Sequence, residues 1–327
     1  MKKAILFLSL LGMVTTIASQ NSSFEGKAIL KVYADYYKGL QKEDPGTAFE
    51  IKRVYLGYKG NINEHFSAEA KLDIGSPEDL SQYSLIRRYA YFKTAELRYK
   101  KNRLTLHAGL FNMLQFDKQE DAWGYRYLYK SFMDEQKFGP SADIGIGAEY
   151  RLTSFMDADI VISNGEGYKN LQSDDTFKTG IGLTFYPLSN TILRVYYDFI
   201  NKNYLQSNLA LFASYQTDDY RISYEYNHAY NRDFILNHDI DGMSVYGTYI
   251  INDNWEIFGR YDRMVSNLEE NSEVPWNIYR DGSAVIAGVQ YQVNKNINLA
   301  MNYRDWYSYA QNGPDRSYLY VNLEFKL

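Results

Sequence analysis

Ser317-Tyr318-Leu319-Tyr320-Val321-Asn322-Leu323-Glu324-Phe325-Lys326-Leu327 closes the chain. Apolar Leu319, Val321, Leu323, Phe325 and Leu327 alternate with Tyr318, Tyr320, Asn322, Glu324 and Lys326, the period-2 pattern of a strand with one greasy and one wet face. Chain termini ordinarily fray. A strand that runs to the last residue therefore predicts a sheet that must close on it, as in an outer-membrane β-barrel.

The other end agrees. Met1-Lys2-Lys3 is a positive start, residues 4–17 are an apolar run, and Ala18-Ser19-Gln20 offers small residues for cleavage. Residues 1–20 thus read as a signal peptide and residues 21–327 as an outer-membrane β-barrel domain. The apolar run is short for a helical span of about 20 residues, which argues against a membrane anchor. The chain has Cys 0, so disulfides, thiolate metal sites, cysteine nucleophiles and acylated cysteine are all excluded. Net charge is -5, and losing Lys2 and Lys3 with the leader leaves about -7. Nothing in that balance favours nucleic acid as a partner.

Mean hydropathy is -0.46, a value that usually accompanies a water-soluble chain. Yet aromatic residues make up 17% of the sequence, with Tyr 33 against Pro 6, and such an excess suits strands that cross two membrane interfaces. Alternation hides a lipid-facing surface from any average. Alternating segments are expected at 27–38, 49–60, 66–75, 85–99, 103–111, 142–152, 157–163, 177–186, 191–200, 205–216, 220–230, 240–251, 255–264, 284–293, 297–307 and 318–327. That is an all-β architecture, a transmembrane antiparallel up-and-down barrel of about 16 strands with periplasmic termini. Short polar turns, such as Lys101-Asn102, Ser189-Asn190, Thr217-Asp218, Asn252-Asp253 and Asn294-Lys295, alternate with longer loops at 76–84, 112–140, 164–176, 231–239, 265–283 and 309–316. A loop at 201–204 is short for the outer side. A soluble two-sheet fold is disfavoured because the faces opposite the apolar ones carry more ionic residues than one core accommodates.

Parity places Lys31, Asp35, Arg53, Glu69, Lys71, Asp73, Arg98, Arg151, Arg194, Asp198, Arg221, Glu225, Glu256, Arg260, Asp262 and Arg304 on the inner wall as candidate pore-lining residues, together with Glu149, Asp157, Asp159 and Glu324. Mixed charge on a hydrated wall orients passing polar solutes, and it also pairs across strands. Residues 112–140 are too long for a turn and too aromatic for disorder. Folded into the lumen, this segment would form a constriction in which Arg126, Lys130 and Lys137 face Asp117, Glu120, Asp121, Asp134 and Glu135; the alternative is a lid over the mouth.

Phe49-Glu-Ile-Lys-Arg53-Val-Tyr-Leu-Gly57-Tyr-Lys-Gly60, Arg87-Arg88-Tyr89-Ala90-Tyr91, Ala108-Gly109-Leu110-Phe111, Phe258-Gly-Arg260-Tyr261-Asp262 and Asn302-Tyr303-Arg304-Asp305-Trp306 resemble the strand patterns of the phosphate-selective porin O and P family of Bacteroidota-type outer membranes. The resemblance covers most of the mature chain. It implies a 16-stranded, often trimeric diffusion channel. Two departures stand out. Asn112-Met113-Leu114-Gln115-Phe116 replaces the family's proline before an aromatic, and acids equal or outnumber cations on the inner parity, so phosphate specificity is not carried over.

The function expected is a water-filled, weakly selective porin for passive diffusion of small polar or ionic solutes. Its expected partners are outer-membrane lipid and lipopolysaccharide, the barrel-assembly machinery and, as a homotrimer, copies of itself. No cofactor is expected, and no metal-ligand spacing is visible. An enzyme is not expected, because His65, His107, His228 and His238 lack an adjacent serine or acidic motif. A second alternative is a non-conducting scaffold or adhesin, its lumen occluded by inner-parity Tyr33, Tyr55, Phe111, Tyr196, Phe212, Tyr246 and Phe258.

Overall fold

A computed structural model describes residues 25–41, 46–75, 80–81, 84–267, 281–309 and 315–327. The expected signal peptide at 1–20 lies outside the described residues, as do most of the expected loops 76–84, 265–283 and 309–316.

Sixteen antiparallel strands form a closed barrel. In chain order they are β1 (Glu25–Gly39), β2 (Thr47–Asn61), β3 (Phe66–Ile74), β6 (Ala90–Lys101), β7 (Leu104–Asn112), β8 (Ala142–Arg151), β9 (Met156–Ser163), β10 (Lys178–Phe185), β11 (Thr191–Asn201), β12 (Leu205–Gln216), β13 (Tyr220–Tyr230), β14 (Ile240–Ile250), β15 (Trp255–Ser266), β16 (Gly282–Asn294), β17 (Ile297–Ser308) and β18 (Arg316–Lys326). The two remaining strands, β4 (Leu80–Ser81) and β5 (Ser84–Arg88), pair with each other as a separate hairpin between β3 and β6. The single strand expected at 85–99 is therefore two elements. The reason is register: Ile74 opposes Ala90, so residues before Ala90 have no partner left on β3 and fold back on themselves.

Closure rests on the segment that opened the sequence reading. β18 pairs with β17 on one side and β1 on the other, with Leu323 opposite both Leu299 and Ala34. The Leu327 amide donates to the Leu30 carbonyl at 2.9 Å, so the last residue completes a ladder that no free edge interrupts.

Every second connection is a tight turn, and in several of these turns a side chain holds the backbone amides. Asn63 Oδ1 accepts from the His65 and Phe66 amides at 2.9 Å, and Asn252 Oδ1 accepts from the Asn254 and Trp255 amides at 3.0 Å. Asn102 adopts φ 53, the left-handed conformation that Asn tolerates. Glu25, the first described residue, and Leu327 both lie at this short-turn end; the longer connections lie at the other. The outward face carries exposed Leu106, Ile146, Leu211, Val245, Ile257, Leu299 and Val321, the apolar band of a barrel set in lipid.

Candidate functional site

The core of this protein is the lumen. Residues 112–140 do not cap the barrel; they run inside it, and Trp123, Tyr125, Phe132, Met133 and Phe138 are 0–2% exposed. The segment opens with helix α1 (Leu114–Trp123), which ends at Gly124 in the left-handed conformation, and contains a one-turn helix α2 (Phe132–Glu135). Aromatic packing holds it to the wall. Tyr125 lies 4.5 Å from Phe258, Trp123 lies edge-on to Tyr246 at 5.6 Å, and Tyr127 lies 6.4 Å from Tyr33. Close approach also needs a missing side chain: a Cβ on Gly242 would fall 2.7 to 2.9 Å from ring atoms of Phe132 and Phe138.

Wall side chains bind the segment's backbone and tyrosines. Arg260 Nη1 donates to the Lys130 carbonyl at 2.7 Å, Arg194 Nη2 to Leu114 at 3.1 Å, and Arg232 Nη2 to Gln136 at 3.2 Å. Tyr125 and Tyr127 donate to Glu256 and Gln290 at 2.5 and 2.7 Å. Arg194 and Arg260 are therefore structural clamps on the segment as well as members of the wall. The clamps are themselves paired, Arg194 with Asp159 at 2.6 Å and Arg260 with Asp262 at 2.6 Å, as buried charge requires.

All sixteen expected lining residues have the inward parity, but they divide into groups. Asp35, Arg53, Asp73, Arg194, Asp198, Glu225, Arg260, Asp262 and Arg304 are buried against the segment or each other. Arg221 and Glu256 meet at 3.5 Å beneath Tyr125. Lys31, Glu69 and Lys71 remain accessible on the β1–β3 wall, where Lys71 pairs with Glu69 at 2.8 Å. Arg98 and Arg151 sit at the short-turn rim with Glu96 and Asp157, half in solvent.

Within the segment the expected face-off of charges takes another form. Arg126 pairs with Glu120 at 2.6 Å and Asp134 at 2.8 Å, and Lys130 reaches Glu135 at 3.9 Å. These cations and acids neutralise one another inside the segment instead of opposing across a gap. Asp117 and Asp121 lie away from the three cations. Burial, reinforced by Glu149 and Asp121, pushes the Asp117 carboxyl up to about 7. Burial would also raise Asp134, but Arg126, Lys130 and Lys93 hold it down at about 2. What faces the segment across the remaining space is the β1–β3 wall: Lys31 approaches Glu120, and Arg53 and Tyr55 approach Arg126.

Cavities remain on both sides of this belt. At the long-loop end one of about 650 Å³ is lined by eight Lys or Arg, including Arg53, Arg126, Lys178, Lys202 and Arg232, against three acids, Asp134, Glu166 and Asp233. Many of these cations are already paired, Lys178 with Asp198 and Lys202 with Glu166 and Asp174. At the short-turn end a cavity of about 490 Å³ is lined by Lys27, Lys59, Glu69, Glu96 and Arg98 among others.

Sequence reading missed Lys93, Glu96, Lys178 and Lys202. Lys93 sits beside Thr94 at a register shift in β6, which turns both inward; it donates to Ser141 at 2.6 Å and lies 4.4 Å from the Tyr168 ring. A bulge of this kind leaves no period in the sequence. The sequence shows no acidic motif beside the histidines, but the register brings acids to two of them: His107 lies 2.6 Å from Glu96 and 2.9 Å from Glu149, and His228 lies 2.8 Å from Asp241 on the outward face. Neither has a serine or other nucleophile among these contacts.

The architecture matches solved outer-membrane barrels. The anion-selective porin from Comamonas acidovorans superposes with a TM-score of 0.70 at 10% identity, covering 93% of this chain and 99% of the other. OmpF of Salmonella typhi gives 0.70 at 14% identity, covering 93% and 98%. OmpT of Vibrio cholerae in its trimer form gives 0.62 at 13% identity, covering 94% and 100%. No protein family and no curated protein matches the sequence. At these identities the likeness is one of fold, and the fold is that of outer-membrane porins.

Proposed function

We propose that this chain forms a water-filled, weakly selective channel for passive diffusion of small polar or ionic solutes across a bacterial outer membrane. One observation carries the reading: an ionic inner wall is crossed by a segment that narrows the lumen while leaving charged cavities at both mouths. A barrel meant only as a scaffold has no need of ionic side chains in open cavities, since they add little to stability when exposed. Selectivity is weak on this reading because most cations of the outer cavity have a carboxylate beside them, and the residual excess leans toward anions. The sequence resemblance to the phosphate-selective porin O and P family supports the channel class without its phosphate specificity. Assembly as a homotrimer with outer-membrane lipid around it is part of the proposal; chemical cross-linking in native membranes tests it.

Planar-bilayer recording of the purified, full-length protein decides the main point. Stepwise currents in KCl with a small reversal potential in a salt gradient support the channel. Absence of current favours the second reading, a non-conducting scaffold, for which the aromatic packing of Trp123, Tyr125, Tyr127, Tyr246 and Phe258 across the lumen speaks.

A further inference from the structure

A second groove at the long-loop end, about 460 Å³ in volume, carries a chemistry different from the cationic cavity. Its floor is Tyr129 of the inserted segment and Trp306, Tyr318 and Tyr320 of β17 and β18, with Arg304 and Glu135 among its polar groups. Trp306 shares the inward parity of Arg304 and Ser308, whereas its neighbour Tyr307 faces lipid and is 58% exposed. Interface girdles place aromatics on the outside, so a girdle does not account for these three rings. Nor does core packing. Inward Tyr33, Tyr55, Phe212, Tyr246 and Phe258 are all covered, but Trp306, Tyr318 and Tyr320 stay partly exposed to an open cavity.

Their positions are fixed. The Trp306 indole lies across Gly282, where a Cβ would fall 2.7 Å from its ring. Tyr37 braces Tyr318 and Tyr320 at 6.0 and 5.9 Å, and the Arg304 guanidinium lies 3.8 Å from the Tyr320 centroid while bonding Asn302 and Asn322. Rigid apolar faces held at a wet surface, ringed by charged hydrogen-bonding groups, are complementary to a ligand with an apolar face and a polar edge.

We propose that this groove is a binding subsite for a sugar in its pyranose form. The C–H face of a pyranose stacks on an aromatic ring, and its equatorial hydroxyls both donate to carboxylates such as Glu135 and accept from guanidinium groups such as the exposed Arg316. A simple inorganic anion has no use for the rings. A cation is disfavoured by four Lys or Arg against two acids in the lining. The volume falls in the range of about 300–1,000 Å³ typical of small-ligand pockets. The subsite's role in passage rests on the channel reading; sugar binding itself does not.

The test is calorimetric titration of detergent-solubilised full-length protein with maltose, with sodium phosphate as the anion arm. Saturable maltose binding is expected, weakened at least tenfold by Trp306→Ala and by Tyr320→Ala, retained in Trp306→Phe, and unchanged in the lipid-face variant Phe49→Ala; heat-modifiable mobility verifies folding of each. Absence of saturable maltose heat, phosphate binding in its place, or equal maltose binding in Trp306→Ala overturns the subsite. Bilayer currents from the same preparation separate the two claims: current without sugar binding removes the subsite alone, and sugar binding without current removes the channel alone.

Discussion

The guanidinium of Arg260, on barrel strand β15, lies 4.9 Å from the centre of the Trp123 ring, on the segment inside the lumen. The same group makes two bonds to Asp262, at 2.7 and 2.6 Å, and one to the Lys130 carbonyl. One side chain thus joins wall, helix end and loop backbone, and among the described residues it is the cation paired with Asp262. Arg260→Ala leaves Asp262 buried and uncompensated, at a cost of about 3–5 kcal/mol. Urea titration of vesicle-refolded protein measures it; a change below about 1 kcal/mol would show that the clamp carries no weight.

Gly242 is the complement of that clamp. A valine there places methyl groups inside the space of Phe132 and Phe138, with barrel strand β14 unable to retreat. Gly242→Val should loosen the segment from the wall while the barrel still forms, and limited trypsin digestion should then cut after Lys130 or Lys137. Wild-type resistance in the variant would contradict this packing.

The two faces of a strand differ by one residue. Leu106 is 39% exposed on the lipid side, and Thr105 shares the inward parity of buried His107. Leu106 lies close to the short-turn rim, opposite Tyr99, so Leu106→Arg should cost up to about 1 kcal/mol, and Thr105→Arg less. Equal costs in vesicle refolding would refute the assignment of faces.

Asp117 links stability to pH. Burial, then the Glu149 and Asp121 carboxylates, push its folded-state carboxyl up to about 7, above the usual unfolded value, against the opposing charge of Lys118. Folding therefore favours the protonated form, and stability falls as pH rises from the unfolded value through about 7. Asp117→Asn should raise the thermal midpoint at pH 8 and flatten its dependence between pH 5 and 8. An unchanged slope would mean that the carboxyl is solvated.

Strand count, faces and closure were legible because lipid and water impose a period of 2 on every span, and residues such as Leu323 and Glu324 keep it to the end of the chain. Register was not. It brings Glu96 and Glu149 to His107, strands Arg88 outside the barrel and turns Lys93 inward, and each depends on a bulge or on where a neighbouring strand stops. The place of residues 112–140 was foreshadowed by length and aromatic content, but α1 was not, since LQFDKQEDAW has little apolar periodicity. Pairing of Arg126 with Glu120 and Asp134 follows from that helix, which brings residue 120 beside residue 126.

Single-channel conductance of a variant in which residues 117–137 are replaced by a short Gly/Ser linker tests most directly whether the inserted segment sets the width of a diffusion pathway. Removing the segment exposes the ionic wall to water, so the barrel should remain heat-modifiable and its unitary KCl conductance should rise severalfold over that of the intact protein, with the reversal potential still small. Equal conductance in the two proteins, with the variant folded, would contradict the central claim.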